Sequence, residues 1–244
     1  MSLSENGQPV FESFAPGGLA LVVGSTGGIG QALLAQLQTQ ACFDRVMGLG
    51  RSSNPPMDLC DEATVAAAAD HVARVGSPLR LLINAAGFLH GEGVQPEKAL
   101  RQLNADDMAK SFAINAIGPA LLMKHFLPLL ARDGKAVFAT LSAKVGSIGD
   151  NHLGGWYSYR ASKAALNQLV KTAAIECSRS HAEAICVALH PGTVSTPLSK
   201  PFAKSGLAVQ TPEAAAARLL ATIDQLGVTS TGGFFDASGH ALPW

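Results

Sequence analysis

The sequence predicts an α/β fold, a doubly wound parallel sheet with helices on both faces, on three observations. Short apolar runs alternate with helix-periodic stretches along nearly the whole chain. The runs are continuously apolar, as strands buried on both faces are. The first run ends in a cluster of glycines just where a helix begins.

The elements follow in order. The first 17 residues are rich in Gly, Pro, Ser and Asn with little periodicity and are read as a loose lead-in; residues 18–244 are read as one domain. Residues 19–23 form the first strand, and 31–38, with Leu33, Leu34 and Leu37 facing inward, the first helix. Strands at 45–49, 79–84, 136–141 and 184–189 then alternate with helices near 62–75, 105–130, 157–179 and 212–226. Phe234 and Phe235 supply a last strand, and about seven strands are expected in all.

Composition narrows the function classes. Eighteen basic residues balance 18 acidic ones and 48% of residues are apolar, which points away from nucleic acid and polybasic membrane contacts and toward a small-molecule partner. Cys42, Cys60, Cys177 and Cys186 lack CxxC spacing, no basic-then-apolar leader opens the chain, and no uninterrupted apolar run approaches the roughly 20 residues of a membrane span. A soluble cytoplasmic protein with buried free thiols is expected. Seven scattered histidines form no HxH or HExxH pattern, so no metal is expected; His90 and His152 are read as bystanders.

The glycine turn runs Gly24-Ser25-Thr26-Gly27-Gly28-Ile29-Gly30. A glycine cluster alone marks either a structural turn or a nucleotide site; at the first strand-helix junction of an α/β chain it favours a dinucleotide, whose pyrophosphate approaches the backbone N–H groups of the helix start. This makes the domain a single Rossmann fold. At the end of the second strand, where an acidic residue usually accepts the adenine ribose hydroxyls, stand Gly50, Arg51 and Ser52. Loss of the carboxylate and gain of a guanidinium favour NADP(H), with NAD(H) still possible; the alternative is that Arg51 is a solvated strand-end charge.

Tyr159 and Lys163 are spaced i, i+4 at the start of a helical run and share one helix face. A phenol titrates near pH 10, and a neighbouring ammonium favours its ionised form, so the pair suits general acid/base chemistry. YxxxK alone arises often by chance; its distance downstream of the glycine turn gives it weight.

With these motifs in order, the chain resembles the short-chain dehydrogenase/reductase family over nearly its whole length. Gly24, Gly28 and Gly30 match the family glycines, with Val23 in place of a usual Thr. Asp58-Leu59 resembles the pair at the adenine, Asn84-Ala85-Ala86-Gly87 resembles NNAG, and Asn115 falls on the helix asparagine that holds a water near the lysine. Pro191-Gly192-Thr193-Val194-Ser195-Thr196 resembles the PGxVxT segment that meets the nicotinamide. The stretch from Gly146 to Tyr157 and the C-terminal Phe234-Phe235-Asp236 to Pro243-Trp244 are most similar to the C-factor and sniffer-like carbonyl reductase branch. The resemblance implies carbonyl reduction or alcohol oxidation with NADP(H), Tyr159 as acid/base, Lys163 lowering its pKa, and a homodimer or homotetramer through the helices near 105–130 and 157–179.

One departure stands out. The family places two serines after the 136–141 strand, the second catalytic, and here the pair is Ser142-Ala143. Ser142 is expected to supply the hydroxyl for the developing alkoxide, with Ser147 as the other candidate. Trp156 and Tyr157 are read as walls of a substrate pocket or as ordinary packing, and a substrate loop is expected near 198–211. The alternative function is a catalytically weak, cofactor-binding regulatory or signalling protein.

Overall fold

The computed structural model describes residues 11–91, 93–202 and 209–244. Their backbone forms one parallel sheet in the order β2-β1-β3-β4-β5-β6, from β1 (Leu19–Val23), β2 (Arg45–Leu49), β3 (Leu79–Asn84), β4 (Ala136–Leu141), β5 (Ala184–His190) and β6 (Phe234–Asp236). Helices α1 (Gly28–Leu37) and α6 (Pro212–Gln225) pack together over one face. Over the other lie α2 (Glu62–Arg74), α3 (Ala105–Phe112), α4 (Gly118–Phe126) and α5 (Tyr157–Cys177). β1, β3 and β4 are buried at every position, as expected for strands covered on both faces.

Each of the six runs read as strands is a strand, but the sheet has six strands among the described residues, not about seven. After β2 the chain turns back within residues 50–57, where the Ser53 and Met57 amides both donate to the Gly50 carbonyl at 3.0 and 2.9 Å. It then enters α2, capped by the Asp61 carboxylate on the Ala63 amide at 3.0 Å. A parallel crossover needs a dozen or more residues, so this short segment adds no strand and leaves β2, mostly half-buried, as the edge.

Three further expectations change. The helix expected over 105–130 is α3 and α4 joined by a π-turn at Ala113–Ile117, with Asn115 inside it. The stretch Ala105–Leu129 is long and apolar enough, by length and composition alone, to cross a membrane; here α3, the π-turn and α4 pack against α5 as a layer of the fold. The lead-in is docked, not loose, from residue 11 onward: Phe11, Phe14 and Phe43 are buried edge-to-face with centroids 5.1 to 5.7 Å apart. Of the four unpaired cysteines, Cys177 and Cys186 are buried, Cys42 is half-buried and Cys60 is exposed.

Candidate active site

β2 and β3 lie on opposite sides of β1, so the chain switches direction at the carboxyl ends of β1 and β3, where open α/β sheets bind ligands. The glycine turn sits there. Gly24 has a φ of +75°, and a Cβ on it would lie 2.8 Å from the Ala86 amide nitrogen; a Cβ on Gly30 would lie 2.1 Å from the Gly24 carbonyl oxygen. Only glycines let the turn close this tightly onto the start of α1. That start has Gly27 as its cap, with no side-chain hydrogen bond and no acid in the first turn, so its N–H groups form an open cradle for an anion.

The other expected cofactor segments converge on this cradle. Ser25 packs against Gly48 of β2, Ala85 donates to the Val23 carbonyl at 2.9 Å, and Thr196 lies against Gly28. Asn84 is fully buried; its Nδ2 donates to Thr140 Oγ1 at 3.0 Å and its Oδ1 accepts from the Ala86 amide at 3.1 Å, fixing the end of β3. Thr26 is exposed and Ile29 lines the cleft; Arg51 and Ser52 are exposed beyond β2, and a Cβ on Gly50 would meet nothing within 4 Å. Asp58 Oδ1 accepts from the Cys60 amide at 2.9 Å, and Leu59 is buried against Gly118. Pro191, Gly192, Val194 and Thr196 line the same cleft.

The cleft encloses about 1160 Å³, with Tyr159, Ala143 and Trp156 also in its wall. Lys163 is buried, and its Nζ donates to the Leu141 carbonyl at 2.8 Å and lies 5.9 Å from the Tyr159 ring centre. Burial pushes the Tyr159 phenol up to about 12 and the Lys163 ammonium down to about 8. A Cβ on Gly87 would lie 3.6 Å from Asn115 Oδ1 and 3.7 Å from Lys163 Nζ, so the glycine keeps space open beside both. Asn115 holds backbone: its Oδ1 accepts from the Phe88 amide at 2.8 Å, and its Nδ2 donates to the Phe88 carbonyl at 2.7 Å and to Ser162 Oγ at 3.1 Å.

The two serine candidates are turned elsewhere. Ser142, expected at the alkoxide, is a cleft-wall residue whose hydroxyl donates to Asn167 Oδ1 on α5 at 2.6 Å. Ser147 donates to the Trp244 carbonyl at 3.2 Å and accepts from the Asp150 amide at 3.1 Å. Ala143 lines the cleft at the place the family gives its second serine.

Trp156 does more than the sequence reading settled. It caps α5 at a φ of +53°, rare for a bulky residue, and packs edge-to-face on Tyr159 at 6.1 Å and on Phe202 at 5.2 Å. Glu97, which carried no signal in the sequence, is buried beneath this turn; its carboxylate accepts from the Ser158 hydroxyl and, at 3.2 Å, from the Ser158 amide, while its carbonyl accepts from the Trp156 amide. His90, read as a bystander, has its Nε2 3.0 Å from the Leu198 carbonyl and its ring 5.2 Å from Phe202. It tethers the start of the expected substrate loop. The loop's far end is tied by Gln210, whose amide donates to Thr193 O at 3.0 Å; its middle, 203–208, lies outside the described residues. His190 also lines the cleft, and burial pushes its imidazole down to about 4, so the ring is neutral at pH 7. Tyr157 is half-buried at the first position of α5, and His152 is exposed.

Comparison with known proteins agrees with this architecture. A family model described as enoyl-(acyl carrier protein) reductase matches residues 30–230. The chain is 33% identical over 233 residues to 1-hydroxy-2-glutathionyl-2-methyl-3-butene dehydrogenase of Rhodococcus sp. strain AD45, covering 92% of this chain and 98% of that protein. It is 35% identical over 167 residues to C-signal of Myxococcus xanthus, covering 68% of this chain and 93% of that protein. The NADPH-bound carbonyl reductase from chicken fatty liver has a TM-score of 0.81 at 28% identity, over 96% of this chain and 100% of the other. Carbonyl reductase Sniffer of D. melanogaster, at 23% identity and a TM-score of 0.80 over 95% of this chain and 100% of the other, shares the fold. The chain therefore belongs to the short-chain dehydrogenase/reductase family of NAD(P)-dependent oxidoreductases.

Proposed function

We propose that the protein reduces aldehydes, ketones or quinones, reversibly, with NADP(H) as the hydride partner. The observation that carries this is Tyr159 in the wall of a cleft, with buried Lys163 5.9 Å behind its ring, where the cleft is also lined by Ile29 of the glycine turn and by Thr196, which lies against Gly28. The cradle fits a dinucleotide: the open N–H groups of α1 would hold its pyrophosphate, the segments at Asn84–Gly87 and Pro191–Thr196 would hold its nicotinamide half, and Asp58-Leu59 its adenine. When bound, the dihydronicotinamide supplies a hydride to the substrate carbonyl carbon.

The chain's own residues manage the proton. Tyr159, protonated at neutral pH, donates its phenolic proton to the carbonyl oxygen, and the resulting phenolate is held by the Lys163 ammonium. In the alcohol-oxidising direction Lys163 eases loss of that proton. Asn115 holds the Phe88 backbone, and the space that Gly87 leaves beside Asn115 Oδ1 and Lys163 Nζ would take a relay water. Trp156 and Phe202 limit water at the reacting oxygen. Self-association through the long helices belongs to the same reading, since Ile117 and Ile175 are exposed on them.

The reading is tested by following NADPH oxidation across aldehydes, ketones and quinones with a parallel cofactor titration. NADPH is expected to bind more tightly than NADH. Gly50→Asp with Arg51→Ala reverses the order; the open space at Gly50 accommodates the new carboxylate. Equal affinities in the parent would contradict the cofactor assignment. The regulatory alternative has one observation in its favour, the commitment of the Ser142 and Ser147 hydroxyls to other partners. NADPH binding without turnover on any carbonyl class would establish it over the reductase reading.

A further inference from the structure

We propose that the substrate end of the cleft selects anionic carbonyl compounds, whose negative group is met by a basic rim of Lys98, Arg160 and Lys144; this rests on the carbonyl-reductase reading of the same site. These three cations line the cleft, and among the described residues no carboxylate does. Their placement is connected through the backbone. Arg160 Nε donates to the Gly155 carbonyl at 3.0 Å and Nη1 to the Val145 carbonyl at 3.1 Å, so its guanidinium bridges two walls of the cleft. Lys98 stands on the other side of Gly155: a Cβ built there would lie 3.9 Å from Lys98 Cα. Lys144 precedes Val145, and its Nζ lies 3.4 Å from Asp150 Oδ2.

The rim thus sets three positive charges against the single carboxylate of Asp150. Lys98 is exposed and its ammonium has no ion-pair partner among the described residues. Its sequence neighbour Glu97 does not neutralise it, because that carboxylate is buried with both oxygens bonded to Ser158. Nor are these cations placed for the cofactor phosphates. The anion cradle is at the start of α1, and Arg51 follows the edge strand β2, three strands away from β4, whose carboxyl end leads into Lys144. A cleft walled by charge of one sign raises the local concentration of ligands of the other, typically by 10-fold or more at low salt.

The test compares NADPH-dependent reduction of 4-carboxybenzaldehyde with that of methyl 4-formylbenzoate, the same aldehyde with its charge capped. Binding of the corresponding alcohols to the NADPH-loaded protein, which cannot react with them, is measured by calorimetry. The expected result is a kcat/KM ratio of about 10 or more in favour of the carboxylate at low salt, falling as salt is added and falling in Lys98→Glu, whose wild-type ammonium makes no hydrogen bond or ion pair among the described residues. Arg160→Gln lowers the ratio as a second variant. A parental ratio of one or less, or a ratio unmoved by salt and by Lys98→Glu, overturns the proposal and leaves the reductase reading standing. If neither aldehyde is reduced but 4-(hydroxymethyl)benzoate binds more tightly than its methyl ester, charge selection stands and the reductase reading falls. If the two alcohols also bind equally, both fall.

Discussion

The two ends of the sheet each hold a lysine that burial perturbs, and they treat it differently. At the amino end Lys135 donates to Ser13 Oγ at 2.9 Å and to the carbonyls of Ile223, Asp224 and Leu226 at 2.7 to 2.8 Å, and lies 5.0 Å over the Phe14 ring. It closes the end of α6 where that helix's last carbonyls lack intrahelical donors. At the carboxyl end Lys163 has one acceptor among the described residues, the Leu141 carbonyl, and open space beside Gly87. Burial pushes both ammonium groups down to about 8. What separates them is saturation: an ammonium with every donor engaged holds a fold together, while one with donors to spare is available to a ligand. Arg80 at the amino end is likewise saturated, by Gly17 O, Asp133 O and the Asp133 carboxylate. Buried polar atoms without partners among the described residues occur in both regions, Asn167 Nδ2, His190 Nδ1 and Gln210 Oε1 around the cleft and Gln36 Oε1 and His181 Nε2 away from it.

The comparison breaks most sharply on turnover. Tyr159→Phe is expected to lower kcat for a carbonyl substrate on the order of 10²-fold or more while sparing cofactor binding. Lys163→Met is expected to harm both, yet to leave the melting temperature unchanged or raised, because it removes a buried charge with a single acceptor. Parental kcat in Tyr159→Phe on a confirmed substrate would assign the proton to another residue.

Lys135→Met is the mirror experiment. It strands three carbonyls at the end of α6 and frees Ser13, so unfolding by heat or denaturant is expected to show a loss of about 2–3 kcal/mol, roughly 5–10 °C in Tm. Turnover per folded molecule is retained at lower temperature. A Lys135→Met protein that is fully stable but inactive would reverse the two roles.

Much of this was legible in the sequence, because it depends on local pattern. Every strand run was short and predominantly apolar, and Tyr159 and Lys163 share a helix face through spacing alone. What was not legible depends on contacts far along the chain. Ser142 points into α5 because Asn167, 25 residues on, accepts its proton. Glu97 reaches Ser158 across 61 residues, and Phe11 and Phe14, in a stretch with no periodicity, are buried against Phe43. The expectation of a seventh strand came from the general architecture of such sheets, and the few residues between Leu49 and Asp58 overruled it.

The pH dependence of stability sharpens the lysine comparison. Both lysines titrate at about 8 in the folded state, below the ordinary value of 10.5, so the unfolded chain binds more protons between pH 8 and 10.5. Stability from these groups is therefore lowest below pH 8 and rises through that window. Tyr159, raised to about 12, works in the opposite direction only above pH 10, where the unfolded phenol ionises. Denaturant titrations between pH 8 and 10 should show a rise on the order of 1 kcal/mol after discounting the half-exposed Lys135 for screening. Each Lys→Met variant should remove its own share, and a parent whose stability is flat or falls over that range would argue against both shifts.

The smallest expected effect bears on the cleft's least resolved feature, the serine that the family places at Ala143. Ser142 carries its hydroxyl on the α5 side of the cleft wall, donating to Asn167 Oδ1, and Asn167 Nδ2 already lacks a partner. Ser142→Ala should therefore act on stability, costing about 1 kcal/mol by leaving the buried amide wholly unsatisfied, while changing kcat by a factor of a few at most. Ala143→Ser, by contrast, adds a hydroxyl directly to the cleft lining, and its extended backbone, φ −146° and ψ 142°, tolerates the change. If the cleft lacks an alkoxide donor, the added hydroxyl should raise kcat several-fold with cofactor affinity unchanged. Should Ser142→Ala instead lower kcat by the roughly 10²-fold typical of losing such a donor, with Ala143→Ser silent, the Ser142 hydroxyl must turn from Asn167 toward the substrate during catalysis. The unpartnered Asn167 amide would then be the other half of that switch, free to donate to the serine oxygen once its proton has turned away.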